Sequence, residues 1–252
     1  MSSTPMPEAG ATYGYEDIAS MIDHALLAPS LDWTAVEAGL RTALAYRVAS
    51  VCVVPHYLAG AAEALSGSNV RATTTIGFPH GTQTTATKLH EAELALADGA
   101  VELDAVVNVN RVLSLDWSYV TSELRILVAL CHEKNAKLKL IFENCYLGDF
   151  HKIRLCELAG EHGADWVKTS TGFGSGGATL ADLRLMREHA PPAVQVKASG
   201  GIRTLDELLA ARPFVTRVGL SRTPEILEEC RRRLGLEAIH ASASNSATMA
   251  RK

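Results

Sequence analysis

Residues 194–207 read VQVKASGGIRTLDE, and this stretch contains one full unit of the pattern that decides the fold. Residues 194–199 form a short run of strand type, interrupted by Lys197, and a glycine-rich turn follows it. Thr204 and Glu207 then have the spacing of a capping box, which indicates the first turn of a helix. The stretch therefore predicts a strand, a turn and a helix in succession.

The same alternation of a short strand and a longer helical pattern extends through the chain in both directions. Several of the strand runs are almost continuously apolar, which is typical of parallel strands that helices cover on the outside. The predicted strands are residues 21–26, 49–54, 71–77, 101–108, 138–143, 165–170, 194–199 and 217–220.

Eight alternating βα units predict the α/β class and a single (β/α)8 barrel, or TIM barrel, over residues 16–236. A doubly wound open sheet is the alternative, and the lack of a GxGxxG string after the first strand argues against it. Small and polar residues dominate both ends of the chain. We therefore expect a flexible N-terminal segment over residues 1–15 and a flexible C-terminal tail over residues 237–252.

Composition narrows the classes of partner. The formal net charge is −4 and the longest block of like charge is three arginines, so nucleic acid is not favoured as a partner. No apolar stretch is long enough to span a bilayer, and the start of the chain does not resemble a signal peptide. Five cysteines without a CxxC pair favour reduced thiols over disulfides or a zinc site. We expect a cytoplasmic protein with no membrane association and no metal.

Four charged residues interrupt strands that are otherwise apolar: Asp104, Lys139, Lys168 and Lys197. An unpaired buried charge costs on the order of several kcal/mol, so such residues persist when they pair with one another or take part in chemistry. One interpretation is a cluster of ion pairs that only closes the barrel core. In the other, three cations near one acid cannot all be neutralised, and at least one lysine has a lowered pKa. A neutral amine attacks carbonyl groups, which is the requirement for imine catalysis.

Glycine-rich turns follow the last three predicted strands, at residues 169–177, 199–203 and 219–222. Glycine lets backbone N–H groups approach an anion closely, and barrels of this class often bind phosphate after strands seven and eight. Each turn alone is a weak signal, because turns need glycine anyway. Together they predict a phosphate site at the carboxyl end of the barrel.

At this point several strings resemble the deoxyribose-phosphate aldolase family. The longest are VKTSTGFG at residues 167–174 and VKASGGIRT at residues 196–204. Shorter ones lie at residues 22–27, 50–55, 76–81, 102–104 and 219–221. The resemblance implies a class I aldolase without a metal or other cofactor. It would reversibly cleave 2-deoxy-D-ribose 5-phosphate to acetaldehyde and D-glyceraldehyde 3-phosphate.

The resemblance also implies individual roles. Lys168 would form the imine, and Lys197 would lower the pKa of that amine and assist proton transfer. Asp104, with an ordered water, would act as the acid/base group, and Lys139 would organise Asp104. The residues expected at the substrate are Asp23, Cys52, Thr171, Gly172, Gly200, Gly201, Gly219, Ser221 and Arg222.

This chain departs from the family pattern at three positions, where Ala25, Asn144 and Arg222 replace a threonine, a threonine and a serine. Arg222 is expected either to strengthen phosphate binding or to cover the surface. The end of the chain also lacks the tyrosine that some family members carry in a tail. A buried cysteine such as Cys52 is more often packing than chemistry.

Two other functions remain as alternatives, a phosphosugar isomerase or epimerase and a non-catalytic phosphosugar-binding protein. An imine trapped with borohydride would distinguish an aldolase from both alternatives. Lys88 is expected to lie on the surface, and an adduct there would not support an aldolase. Barrels of this kind commonly assemble, so we expect a homodimer or a homotetramer.

Overall fold

The structure, a computed structural model, describes residues 12–239. Eight parallel strands close into a barrel in chain order, and β8 pairs with β1. They are β1 (Ile22–Leu26), β2 (Ser50–Val53), β3 (Arg71–Ile76), β4 (Glu102–Val106), β5 (Lys137–Ile141), β6 (Trp166–Lys168), β7 (Gln195–Ser199) and β8 (Arg217–Leu220). The predicted (β/α)8 barrel is confirmed, and no strand end differs from its prediction by more than two residues.

Helices alternate with the strands. They are α1 (Tyr15–Ala19), α2 (Trp33–Tyr46), α3 (Leu58–Leu65), α4 (Thr85–Ala97), α5 (Val109–Leu113), α6 (Trp117–Glu133), α7 (Asp149–His162), α8 (Leu180–His189), α9 (Leu205–Ala211) and α10 (Thr223–Arg233). The capping box of α9 forms as predicted. The backbone N–H of Glu207 donates to Thr204 Oγ1, and Glu207 Oε2 accepts from the backbone of Thr204 at 3.0 Å.

The strand residues alternate between two environments. In β4, Leu103 and Ala105 pack into the apolar core beneath the helices, whereas Glu102 and Asp104 meet lysines inside the barrel. The apolar core therefore lies between the strands and the helices, and the barrel interior is charged.

Most of the two expected flexible segments lies outside the described residues, at positions 1–11 and 240–252. Tyr15, at the edge of the first segment, begins α1, is buried, and donates its hydroxyl to the backbone oxygen of Tyr46 at 2.9 Å. Among the helices of residues 12–239, none is both long and apolar enough to cross a membrane.

Candidate active site

Lys168 is the last residue of β6, at the carboxyl end of the barrel where enzymes of this fold place their chemistry. Its neighbour in the sheet register is Lys197 on β7, so two lysines lie side by side. Only 2% of the Lys168 side chain is exposed, and its Nζ donates to Asp104 Oδ2 at 2.8 Å.

Asp104 joins the three predicted lysines. Its Oδ2 accepts from both Lys168 and Lys197 at 2.8 Å, and its Oδ1 accepts from Lys139 at 2.9 Å. The structure thus brings together the four charged residues that interrupt the predicted strands. Each of them is almost completely buried.

The barrel interior contains three further charged residues that were not predicted among its charges: Asp23, Glu102 and Arg217. Arg217 donates to Asp23 and, at 2.9 Å, to Glu102. Glu102 Oε2 lies 2.5 Å from Lys139 Nζ. The expectation of three lysines against one acid was therefore wrong in number. In the ion-pair network inside the barrel, as far as the described residues go, four cations face three carboxylates.

Asp23 was expected at the substrate, but its carboxylate is fully buried and occupied by protein groups. Its Oδ2 lies 2.5 Å from Lys197 Nζ, and its Oδ1 accepts from Ser50 Oγ at 2.6 Å and from Arg217. The structure thus places Asp23 beside Lys197 in the interior, and its contact with the substrate stays a prediction. Glu102 could have been found in the same way as Asp104, since it lies two positions earlier on the same strand face.

The electrostatics separate Lys168 from the other two lysines. Burial lowers the pKa of the Lys168 amine, Asp104 opposes that effect, and Lys197 lowers the pKa further. Burial also disfavours charge on Lys197, but Asp104 and Asp23 together raise its pKa above the ordinary value. For Lys139, burial is likewise outweighed by carboxylates, and its pKa is raised. Of the three lysines that contact Asp104, Lys168 is the one whose pKa is lowered.

Asp104 remains ionised in this environment. Burial would raise the pKa of its carboxyl group, but Lys139, Lys168 and Lys197 hold that pKa well below its usual range. Cys52 lies beside the same charges, and burial raises the pKa of its thiol. The interior around Lys168 thus contains an ionised carboxylate, a charged lysine and a neutral thiol.

The glycine-rich turns meet at the carboxyl end of the barrel. A cleft of about 400 Å³ is lined by residues expected to bind phosphate, Gly200, Gly201, Gly219, Ser221 and Arg222, and also by Arg203. Gly200 and Gly201 have φ values of +73° and +86°, the left-handed region that favours glycine.

Backbone contacts fix the turn after β6 against the turn after β7. The N–H of Ala178 donates to the backbone oxygens of Ser199 and Gly200 at 3.1 and 3.0 Å. A Cβ on Gly177 would lie only 2.4 Å from the carbonyl carbon of Gly200, so these backbones require glycine to approach so closely. Gly172 borders Gly200 on the same side. The expected phosphate-binding residues therefore form one continuous rim.

Thr171 is expected at the substrate, but its hydroxyl is bound to protein. Both its N–H and its Oγ1 donate to the buried carboxylate of Glu143, which the sequence analysis did not single out. Its Oγ1 also accepts from the N–H of Phe173 at 3.0 Å. The hydroxyl of Thr171 thus helps to shape the turn.

The departures from the family pattern differ in their placement. The Nδ2 of Asn144 donates to Met186 Sδ at 3.4 Å, which occupies it in packing against α8. Ala25 lies on β1 at the end of the strand face that contains Asp23. More than half of the Arg222 side chain is exposed, and its Nε lies 3.7 Å from Glu225 Oε1.

The expectation that Lys88 lies on the surface was wrong. Lys88 is fully buried on α4, and its Nζ donates to Glu123 Oε1 and to the backbone oxygen of Val106, both at 2.7 Å. The aliphatic part of Lys88 packs under Gly77, where a Cβ would lie 2.7 Å from Lys88 Cε. Its environment is a buried ion pair outside the barrel.

Within residues 12–239 no group of three or more histidine, cysteine, aspartate and glutamate side chains is arranged to hold a metal ion.

Comparison with known proteins adds three findings. Residues 11–213 match the family model described as DeoC/LacD family aldolase. The chain is 54% identical over 237 residues to a deoxyribose-phosphate aldolase of Rhodopirellula baltica, which covers 94% of this chain and 98% of the relative. A structure titled as a unique tetrameric deoxyribose phosphate aldolase from Aeropyrum pernix superposes with a TM-score of 0.81 at 32% identity, covering 86% of this chain and 92% of that one.

Proposed function

The chain belongs to the DeoC/LacD family of aldolases, and on that premise we propose that it reversibly cleaves 2-deoxy-D-ribose 5-phosphate. The products are acetaldehyde and D-glyceraldehyde 3-phosphate, and the reaction proceeds through an imine on Lys168. The observation that carries the proposal is the buried Lys168 amine, whose pKa is lowered at the carboxyl end of the barrel. The relatives named above as deoxyribose-phosphate aldolases support the choice of substrate.

The first step is attack by the neutral Lys168 amine on the C1 aldehyde of the open-chain sugar. Loss of water from the carbinolamine leaves a protonated imine, which withdraws electrons from the C2–C3 bond. Removal of the proton from the C3 hydroxyl then forms glyceraldehyde 3-phosphate and breaks that bond. The electron pair remains on the enamine, so no free carbanion forms. Protonation of the enamine carbon and hydrolysis release acetaldehyde.

The residues around Lys168 have different roles: Asp104 transfers protons, Lys197 keeps the Lys168 amine neutral, and Lys139 orients Asp104. Asp104 Oδ2 contacts both Lys168 and Lys197, so it can exchange protons with the imine carbon region through one water. Lys197 stays charged between two carboxylates and disfavours a second charge on Lys168. Lys139 binds the other oxygen of Asp104 and fixes the orientation of that carboxylate.

The substrate phosphate lies in the cleft formed by the turns after β7 and β8, beside Gly172. Backbone N–H groups of Gly200, Gly201, Gly219 and Ser221 are suited to an anion there. The first N–H groups of α10 face no side-chain cap at Arg222, so the positive end of that helix is available as well. Cys52, beside Lys168, and Thr171, next to Gly172 in the chain, are the remaining residues that we propose lie near the substrate.

Reductive trapping tests the proposed chemistry. The protein is incubated with acetaldehyde and borohydride, and the modified peptide is identified by mass spectrometry. A two-carbon adduct on Lys168 is expected, together with release of glyceraldehyde 3-phosphate from the sugar phosphate in a coupled assay. A folded protein that yields no adduct, or an adduct only on an exposed lysine such as Lys134, would contradict an imine on Lys168.

We further propose a homodimeric or homotetrameric assembly in the cytoplasm. The Aeropyrum pernix relative is described as tetrameric, which supports assembly. The five free cysteine thiols fit a reducing compartment. Light scattering of the purified protein measures the subunit number.

A further inference from the structure

A charged pair, Glu102 and Arg217, lies at the amino ends of the strands, which we call the floor of the barrel. The pair is at the opposite end from Lys168. Glu102, Trp166 and Arg217 are the first residues of β4, β6 and β8, so they lie at the amino ends of the strands, opposite Lys168. Three cations lie over the Trp166 ring, with Arg217 Cζ 5.3 Å, Lys139 Nζ 5.6 Å and the exposed Lys137 Nζ 5.8 Å from its centroid. Nothing in the proposed chemistry requires a charged pair at this end.

Two chains of contacts connect this floor with the reacting amine. Arg217 donates to Glu102 through Nη2 at 2.9 Å and Nη1 at 3.2 Å, and Glu102 contacts Lys139, which binds Asp104. Arg217 also binds Asp23, which contacts Lys197. Both chains end on groups that touch Lys168 or its carboxylate.

The charges that are linked by ion pairs inside the barrel do not balance. Within the described part of the chain, this network contains four cations and three carboxylates: Lys139, Lys168, Lys197 and Arg217 against Asp23, Glu102 and Asp104. The buried carboxylate of Glu143 lies apart from the network and accepts from the N–H and Oγ1 of Thr171. Arg71 also lies 3.8 Å from Glu102, but its side chain is 51% exposed, and solvent screens it. Cys52 faces Lys168 as a neutral thiol, and β3 contributes only threonines to the inner face near Asp104.

The single excess positive charge falls on the cation with the fewest partners. Among the described residues, Lys139 lies within 4.0 Å of three carboxylates, at 2.5, 2.9 and 3.9 Å. Lys197 has two such partners, at 2.5 and 2.8 Å, and Lys168 has one, at 2.8 Å, which it shares. Of the three lysines, Lys168 therefore loses its proton at the smallest cost in free energy.

We propose that Glu102 and Arg217 are positioning residues that set the pH range over which Lys168 reacts, because together they keep the excess charge of the interior at one. This inference rests on the proposed imine at Lys168. It assigns a role to the barrel floor that extends beyond holding the strands together.

Opposite substitutions on the floor have opposite effects. Arg217→Met removes a cation and leaves the interior neutral, so Lys168 keeps its proton to higher pH. Glu102→Gln removes an anion and leaves an excess of two, so Lys168 loses its proton at lower pH. The double variant returns the excess to one. Simple disruption of the barrel would not produce shifts of opposite sign that cancel in the double variant.

The experiment measures the pH dependence of two quantities for each variant, kcat/KM for sugar phosphate cleavage and the rate of acetaldehyde trapping by borohydride at Lys168. The acid limb of each pH profile is the range in which activity rises as Lys168 loses its proton. We expect this limb about 1 pH unit more alkaline in Arg217→Met and about 1 pH unit more acidic in Glu102→Gln. The double variant should lie near the unmodified protein. Arg217→Lys, which keeps the charge, should also leave the limb in place.

Arg154→Met is the matched control, because it removes a half-buried arginine that pairs with Glu157 and Glu161 on α7, outside the barrel interior. No displacement of the acid limb is expected from it. If Arg217→Met does not fold, Arg217→Gln and Glu102→Gln still provide one shift in each direction. Limbs that stay in place, or move in the same direction, overturn the inference while the unmodified protein remains active. Absence of trapping in the unmodified protein would instead overturn the proposed function.

Discussion

Lys168 and Lys88 are both buried lysines, and in both burial lowers the pKa of the amine against the pull of a carboxylate. Lys88 pairs with Glu123, and the backbone oxygen of Val106 accepts a second hydrogen bond from its amine. Within residues 12–239, Asp104 is the one carboxylate that contacts Lys168, and Lys168 shares it with Lys197. The two amines are therefore both buried, but they differ in the number of acceptors that compensate their charge.

The difference shows that burial alone does not make an amine reactive. Lys88 is enclosed between α4, α6 and the turn at Gly77, in a neutral pair of charges. Lys168 is the last residue of its strand, in an interior with one positive charge too many, next to turns that form a cleft. A reactive lysine needs an incompletely compensated charge together with a route for the substrate.

Replacing each lysine by methionine should separate the two sites most clearly. Lys168→Met removes the imine nitrogen, so kcat should fall by about 10⁴-fold or more while the fold survives. Lys88→Met leaves Glu123 buried without its cation, so the free energy of unfolding should fall by about 3–5 kcal/mol. Coupled assays and urea denaturation measure the two effects. If Lys168→Met and Lys88→Met lost activity to the same extent and were equally stable, the proposed difference between the two sites would be wrong.

The sequence predicted the barrel because each strand and helix cap is a local pattern that survives in the fold. It also predicted the meeting of Asp104 with Lys168, since both interrupt apolar runs. Arg217 was missed because it is the first residue of its strand, where a charge usually faces solvent. Glu102 shares a strand face with Asp104, so the alternation of the strand was enough to predict it in the interior.

Lys88 was misplaced for a related reason. A lysine in a helical pattern is typical of a surface, and its burial depends on Glu123, which lies 35 residues away. Contacts of that range have no local signature. The occupied carboxylate of Asp23 was missed in the same way, because its partner Arg217 lies 194 residues further along the chain.

Removing the second cation beside Lys168 should make its amine behave more like that of an ordinary lysine. Lys197→Leu deletes a charge that lowers the pKa of Lys168, so that pKa should rise. Lys168 would then be protonated at neutral pH, and the acid limb of kcat/KM should move to higher pH. We expect a loss of about 10³-fold near pH 7, part of it from lost proton transfer. Near-normal rates in this variant would contradict the division of roles between the two lysines.

A second carboxylate placed beside Lys168 should make its environment similar to that of Lys88, in which the positive charge is fully compensated. Cys52 lies beside Lys168, Lys197 and Asp104, so Cys52→Asp would neutralise the excess charge next to the reacting amine. The pKa of Lys168 should rise, and kcat/KM should fall by about 10-fold at pH 7 and recover at alkaline pH. Cys52→Asn, which has nearly the same shape without the charge, should leave the acid limb unmoved. If both variants lose activity equally at every pH, the shape of the residue at position 52 matters and the sharing of Asp104 does not explain why Lys168 reacts.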